Sequence, residues 1–593
     1  MIRNRSFRLP AALSVAMLLV AGCQPGAELS LSPDAALEDL FERVWEFRIT
    51  ENPMFATSVG DLRFNDQLGS VAPADLERRA QKNQEFLDEV MAIDLDSLSE
   101  EMQINVRILE RQLWDAVELH RFGEWQMPLT AETGFHSGFA RLGARVPLRT
   151  TKQYEDYISR LEQFRGWAGQ HTENMRAGIA RGWVLPRVVL EGYEETISAH
   201  IVDDPEESVL YGPFKAFPST VPEADHERLR AAGRAVLESS VVPGYREFFD
   251  FFVNEYLPAC SDSIAASDRP GGEEYYAQRV KFFTTLNVTP QDVHDIGLAE
   301  VARIKSEMLE IMRQTGFDGD FDSFLEFLRT DPQFYAKTPE ELLREASYIS
   351  KRMDAKLPML FNTLPRLPYG VAPVPDHIAP KYTAGRYVGP PEGSTQPGYY
   401  WVNTFKLDSR PLYALTALSL HEAVPGHHLQ TALAREKGEQ PKFRRHDYIS
   451  AFGEGWGLYS EFLGIEAELY DDLYSHFGRL TYEMWRACRL VVDTGMHSLG
   501  WSRQDTLRFL SENTALSIHE ITTETDRYIS WPGQALSYKM GEIKIRELRK
   551  RAEERLGTAF DVRDFHDWVL ENGSVPLDIL DDLVDAKIEA AAG

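Results

Sequence analysis

Apolar positions recur three and four residues apart over most of the chain, which predicts a mainly α-helical protein. Leu37, Leu40, Phe41, Val44 and Phe47 fall on one face of a helix that Ser32 would cap and Pro33 would open. Thr289-Pro290 opens another helix the same way, running to about Met312. Thr338-Pro339 opens a third, where Glu341 is placed to complete a capping box. Long periodic segments cover roughly 74 to 120, 151 to 180 and 224 to 256. The pattern changes at Pro365. Between Pro365 and Pro397 there are eight prolines and little helical period, so this stretch is extended chain or loop. It leads into Tyr399-Tyr400-Trp401-Val402-Asn403-Thr404-Phe405, whose aromatic and β-branched content predicts a strand. A helix follows from about Pro411 to Val424. No fixed-period repeat, Gly/Ser linker or charge run divides the chain after residue 31. Residues 32–593 therefore read as one large helical domain, with two lobes around a cleft and a small β-sheet beside the 411–424 helix.

The N-terminus sets the compartment. Arg3, Arg5 and Arg8 precede an apolar run from Ala11 to Val20, too short to span a bilayer and laid out like a signal peptide over 1–22. Small residues lead directly into Cys23, as in a bacterial lipobox, which makes Cys23 the lipidation site and 23–31 a tether. Gln24, rather than aspartate, favours an outer-membrane location facing the periplasm. The alternative is ordinary secretion with an incidental cysteine. Only Cys260 and Cys488 remain after the signal, which excludes a cysteine-ligated metal cluster. The formal charge of −29 argues against a nucleic-acid partner, and membrane contact is expected through the lipid alone.

The chemistry gathers at residues 421–428, His-Glu-Ala-Val-Pro-Gly-His-His. Neutral imidazoles bind zinc, and a glutamate beside one of them can stay off the metal and take a proton from water. In H-E-x-x-H sites the histidines are four apart on one helix face. Here His427 would lie about 240° around a regular helix from His421, and His428 about 10 Å further along it. A broken or bulged turn at Val424-Pro425-Gly426 is needed to return a later histidine to the metal. A third ligand is available downstream, where Glu454 and Glu461 share a helix face in Gly453-Glu454-Gly455-Trp456-Gly457-Leu458-Tyr459-Ser460-Glu461. Either could ligate zinc while the other orients a histidine. On the segment from about 484 to 500, Asp493 and His497 are spaced to meet, and Arg486 or Arg489 could receive a substrate carboxylate, although ion pairing explains such residues more simply.

The motifs HEAVPGHHLQ, EGWGLYSE and PGQALSY, in that order, resemble the bacterial domain-of-unknown-function family 885, most strongly over a metal-site core of about 395–545. That family is similar to the gluzincin metallopeptidases, including the carboxypeptidase Taq and thimet oligopeptidase groups. The resemblance implies His421, His427 and Glu454 as ligands of one zinc per chain and Glu422 as general base. It also implies a late tyrosine facing the oxyanion, Tyr538, with Tyr528 second. The two extra residues before Gly426 leave His428 open as an alternative to His427. The expected function is zinc-dependent hydrolysis of short peptides outside the cytoplasm. The alternatives are a zinc hydrolase of non-peptide amides or esters, and a non-catalytic surface lipoprotein that binds peptide or metal. The strand around Asn403 is expected either to pair with substrate backbone or to be an ordinary sheet strand.

Overall fold

A computed structural model describes residues 33–592 except 377 and 391–394. The expected signal peptide, the lipidation site expected at Cys23 and the expected tether lie outside the described residues. The fold is mainly helical with one three-stranded sheet, as the periodicity predicts. Among the described residues no helix is long and apolar enough to cross a membrane.

Both Thr-Pro pairs open helices. Thr289 caps α1 (Pro290–Thr315) and forms a reciprocal box with Asp292. Thr338 caps the helix Pro339–Asp354 by accepting from the Glu341 amide, but Glu341 reaches back to the Lys337 amide rather than to Thr338. The 74–120 segment is two helices, Pro73–Met91 and Glu100–Phe122. The 224–256 segment is helical with two π-turns, at Leu237–Val241 and Phe252–Tyr256.

The proline-rich stretch holds β1 (Tyr369–Pro373) and β2 (Gly385–Val388), and β3 is Gly398–Val402. The order is β1-β3-β2, with β1 parallel and β2 antiparallel to β3. This decides between the two expectations for the strand near Asn403 in favour of an ordinary sheet strand. β3 has a neighbour on each side, so the strand leading to Asn403 has no free edge for substrate. Asn403 is fully buried, and its amide donates to the carbonyls of Ala379, Tyr382 and Thr383, which holds the loop before β2 in place. The edge that faces the site belongs to β2.

The helices that carry the chemistry are α2 (Leu412–Glu422), α3 (His427–Glu436), α4 (Ser450–Glu466), α5 (Leu473–Ser498), α6 (Ile518–Ser530) and α7 (Ser537–Leu556). α5 packs along α1 and against α2, and α4 packs along α7. The apolar interior forms two large clusters, and α2 belongs to both. Leu415, Ala417 and Leu418 face one, and Leu420, with Val424 just past the helix, faces the other. Every residue of α2 from Tyr413 to Glu422 is buried, so the helix has no solvent face.

Candidate metal centre

α2 stops at Glu422 and α3 starts at His427. Pro425 has no N–H to continue the helix. The chain instead folds back, with the Gly426 amide on the Leu420 carbonyl at 3.0 Å and the His428 amide on that of Ala423 at 3.1 Å. A Cβ on Gly426 would stand 1.9 Å from the His421 carbonyl oxygen, so only glycine fits the reversal. The indole N–H of Trp456 on α4 donates to the Pro425 carbonyl at 2.8 Å and clamps the turn.

This break brings three ligand-type side chains together. The candidate donor atoms of His421, His427 and Glu454 all lie within 4.8 Å of one another. Glu454 Oε2 is 3.5 Å from His421 Nε2 and 3.4 Å from His427 Nε2. The other carboxylate oxygen accepts from the Tyr448 hydroxyl at 2.9 Å. His421 Nδ1 faces Glu461 Oε1 at 2.8 Å. Glu461 therefore fixes the proton on Nδ1 and leaves Nε2 for a ligand. Of the two carboxylates that share a helix face, Glu454 joins the cluster and Glu461 orients a histidine. Two imidazole nitrogens and one carboxylate fit a divalent metal such as zinc.

The electrostatics match that donor set. Burial opposes charge on His421, but the carboxylates of Glu454 and Glu461 outweigh it and lift its pKa to about 9. Burial likewise opposes ionisation of Glu454, yet the facing His427 and His421 hold it well below the usual carboxylate range.

His428 is directed elsewhere. Its Nδ1 faces the Tyr387 hydroxyl at 3.2 Å, and its ring packs on Tyr369 at 4.6 Å between centroids. Burial pushes its pKa down to about 4. His427, not His428, faces Glu454. Glu422 stays out of the cluster, its Oε2 accepting the backbone N–H of Tyr387 on the β2 edge at 2.7 Å.

α4 supplies more than Glu454. The face of the His421 ring rests on Gly457, where a Cβ would meet Cε1 at 2.7 Å and Nε2 at 2.8 Å. Tyr538 opens α7 with its ring nearly parallel to that of His421, 6.4 Å between centroids. Its pKa is raised, by burial and then by the charge of Glu454. The adjacent Lys539 is fully buried and meets Glu300, Glu483 and Glu542 at 2.8–2.9 Å, tying α7 to α1 and α5. Tyr528 is otherwise engaged, its oxygen accepting from Trp485 Nε1 at 2.9 Å and Arg489 Nε at 2.8 Å.

The expected pairing of Asp493 with His497 does not occur. Asp493 accepts from the Tyr276 hydroxyl at 2.6 Å and the Gly533 amide at 3.1 Å, and burial pushes its carboxyl up to about 7. His497 accepts from the Ala266 amide at Nδ1 and donates from Nε2 to the Tyr528 carbonyl. Both tie α5 to neighbouring segments. Arg489 binds Glu524 at 3.1 Å, and Arg486 reaches only to 4.0 Å from Glu461. Two neighbours of the centre carry no signal in the sequence. Tyr448, 57% exposed, precedes α4 at a position with no motif around it. The Tyr387 amide is backbone, and only the sheet pairing reveals it.

The chain matches, over residues 53–584, the family described as "Bacterial protein of unknown function (DUF885)", and it belongs to that family. A crystal structure of a candidate lipoprotein from Colwellia psychrerythraea is similar to it, with TM-score 0.88 and 28% identity, covering 94% of this chain and 100% of that one. A candidate lipoprotein of unknown function from Shewanella oneidensis shares the fold alone, with TM-score 0.72 and 16% identity over 93% of this chain and 100% of that one. No curated protein matches.

Proposed function

We propose that the chain is an exported, lipid-anchored metallopeptidase that cleaves short peptides outside the cytoplasm, with one zinc held by His421, His427 and Glu454. The observation that carries this reading is the convergence of those three side chains within 4.8 Å while a further acid, Glu422, lies next to the set and outside it. A pure binding site has no need of that extra carboxylate.

When bound, zinc supplies Lewis acidity toward a carbonyl and toward water. The protein's own groups do the rest. Glu461 keeps the Nδ1 proton of His421 in place, so that Nε2 presents a lone pair. Glu422 takes the proton of the attacking water and passes it to the leaving amine. Its bond to the Tyr387 amide aims the carboxylate along the β2 edge. The Tyr538 hydroxyl, which takes no hydrogen bond among the described residues, is free to donate to the developing oxyanion. The lipobox at Cys23, together with two structural relatives described as candidate lipoproteins, supports anchoring and export. Gln24 supports the outer membrane.

A second reading is a surface lipoprotein that binds peptide or metal without turnover. It is favoured by the Tyr387 amide already occupying one oxygen of Glu422, and by relatives to which no activity is attached. A screen of the zinc-loaded chain, starting after Cys23, against peptides and against small amides and esters separates the readings. Cleavage of peptides that is abolished in Glu422→Gln with metal retained supports the first. Tight peptide binding with no cleavage over hours supports the second, and activity on small amides or esters alone rejects peptidase.

A further inference from the structure

A cavity of about 80 Å³ lies against α2, walled by Val402, Leu415, Leu418 and Tyr482, with Arg410 and Glu520 also lining it. Leu418 stands one helical turn before Glu422, about 6 Å along the axis. The cavity lies mainly along the start of α2, and Leu418 is its lining residue nearest in the chain to Glu422.

The two charged walls are not joined. Among the described residues no ion pair or hydrogen bond links Arg410 to Glu520. The Nε of Arg410 is buried without a partner, and its Nη1 has only the Ser409 carbonyl at 3.5 Å. Arg486 lies over the Tyr482 ring at 4.7 Å, and its Nε is likewise buried without a partner. Nη1 of Arg489, 2% exposed, is a third. Burial and then Glu524 push the Glu520 carboxyl up to about 7, although Arg410, Arg486 and Arg489 all pull it down. Buried guanidinium N–H groups without acceptors are costly, and three in one region call for an acceptor that arrives from outside. Arginine's planar fork suits a carboxylate. Of the three, Arg410 alone lines the cavity, with the acids Asp408 and Glu520; Glu520 is half-neutralised near pH 7, and the unpartnered Nε of Arg410 calls for an anionic oxygen.

We propose that this cavity binds a carboxylate of the peptide substrate, received by Arg410. The ligand's identity rests on the peptidase reading; the carboxylate site does not. The carboxylate can come from a free C-terminus or from an acidic side chain, and the test separates these sources.

Calorimetry on the zinc-loaded chain starting after Cys23, carrying Glu422→Gln to stop turnover, would compare three acetylated tripeptides. One has a free C-terminus, one is its neutral amide, and one is an amide with an internal glutamate. We expect one of the two anionic peptides, which thereby names the source, to bind at least about tenfold tighter than the neutral amide, and Arg410→Gln to erase the difference. Equal binding of all three, no binding of any, or a preference that survives Arg410→Gln would overturn the proposal. Should Arg410→Gln fail to fold, the acid-against-amide comparison decides alone. A carboxylate preference in a chain that never cleaves peptides would sink the peptidase reading and keep this one. Peptide cleavage without the preference would do the reverse.

Discussion

Replacing Gly457 by alanine adds a single methyl group against the face of the His421 ring. The new carbon would sit 2.7–3.0 Å from three ring atoms, where ordinary contact needs about 3.5–4.0 Å. The ring must move by about 1 Å, because α4 is packed along α7 and cannot retreat easily. Overpacking of this kind costs about 1–3 kcal/mol, and the better helix propensity of alanine returns about 1 kcal/mol. The metal-free fold should therefore lose no more than about 2 kcal/mol. The metal site should lose far more, since ligand distances tolerate only about 0.2 Å of error. We expect zinc affinity to fall about 100-fold or more. Competition against a chromophoric chelator gives the affinity, and thermal unfolding with and without zinc separates fold from site. An alanine variant that folds and binds zinc as tightly as wild type would refute the idea that α4 makes room for His421.

Further outcomes follow from the same geometry. Glu461→Gln removes the carboxylate that fixes the His421 tautomer, and zinc affinity should drop about 10- to 100-fold in the same competition assay; no change would remove Glu461 from the site. Tyr538→Phe should lower kcat about 100-fold with little change in KM, whereas Tyr528→Phe should chiefly lower the melting temperature, its oxygen being engaged with Trp485 and Arg489. Lys539→Met removes the buried cation shared by Glu483, Glu542 and the half-buried Glu300, each of which keeps an arginine partner, and should cost about 1.5–3 kcal/mol, measured by denaturant unfolding. Asp493 holds a proton to about pH 7 when folded but only to about pH 4 when unfolded, so its contribution is fully present at low pH and is lost as pH rises between those values. The stability of wild type relative to Asp493→Asn should therefore fall by about 3 kcal/mol between pH 5 and pH 8, and a flat difference would mean that Asp493 is ionised in the fold.

Much of the helical framework is legible in the sequence. The Thr-Pro openings at Thr289 and Thr338 mark helix starts because proline at the first turn gives up an N–H that has no partner there in any case. The pairing of His421 with His427 is legible only as a requirement: proline and glycine announce a break, but its direction depends on the Trp456 clamp and the Leu420 carbonyl, which are tertiary. The roles of Glu454 and Glu461 are exchangeable in the sequence because both lie on one helix face; which carboxylate meets which imidazole nitrogen is decided by where α4 crosses α2. Whether the strand near Asn403 is an edge or a centre is not legible in its sequence, because sheet order is not a local property. The β3 sequence has the stronger strand composition, yet it is central for that reason, and the weaker Gly385–Val388 takes the edge. Asp493 and His497 have a spacing that allows contact, but burial hands each of them to backbone groups of other segments.

The central claim is that His421, His427 and Glu454 form a metal site. Elemental analysis of the chain starting after Cys23, beside Glu454→Ala, tests it most directly. About one zinc per wild-type chain and a sharp loss in the variant are expected. A wild-type chain that holds no metal after zinc is offered and the excess removed, or a variant that keeps its zinc, would contradict the claim.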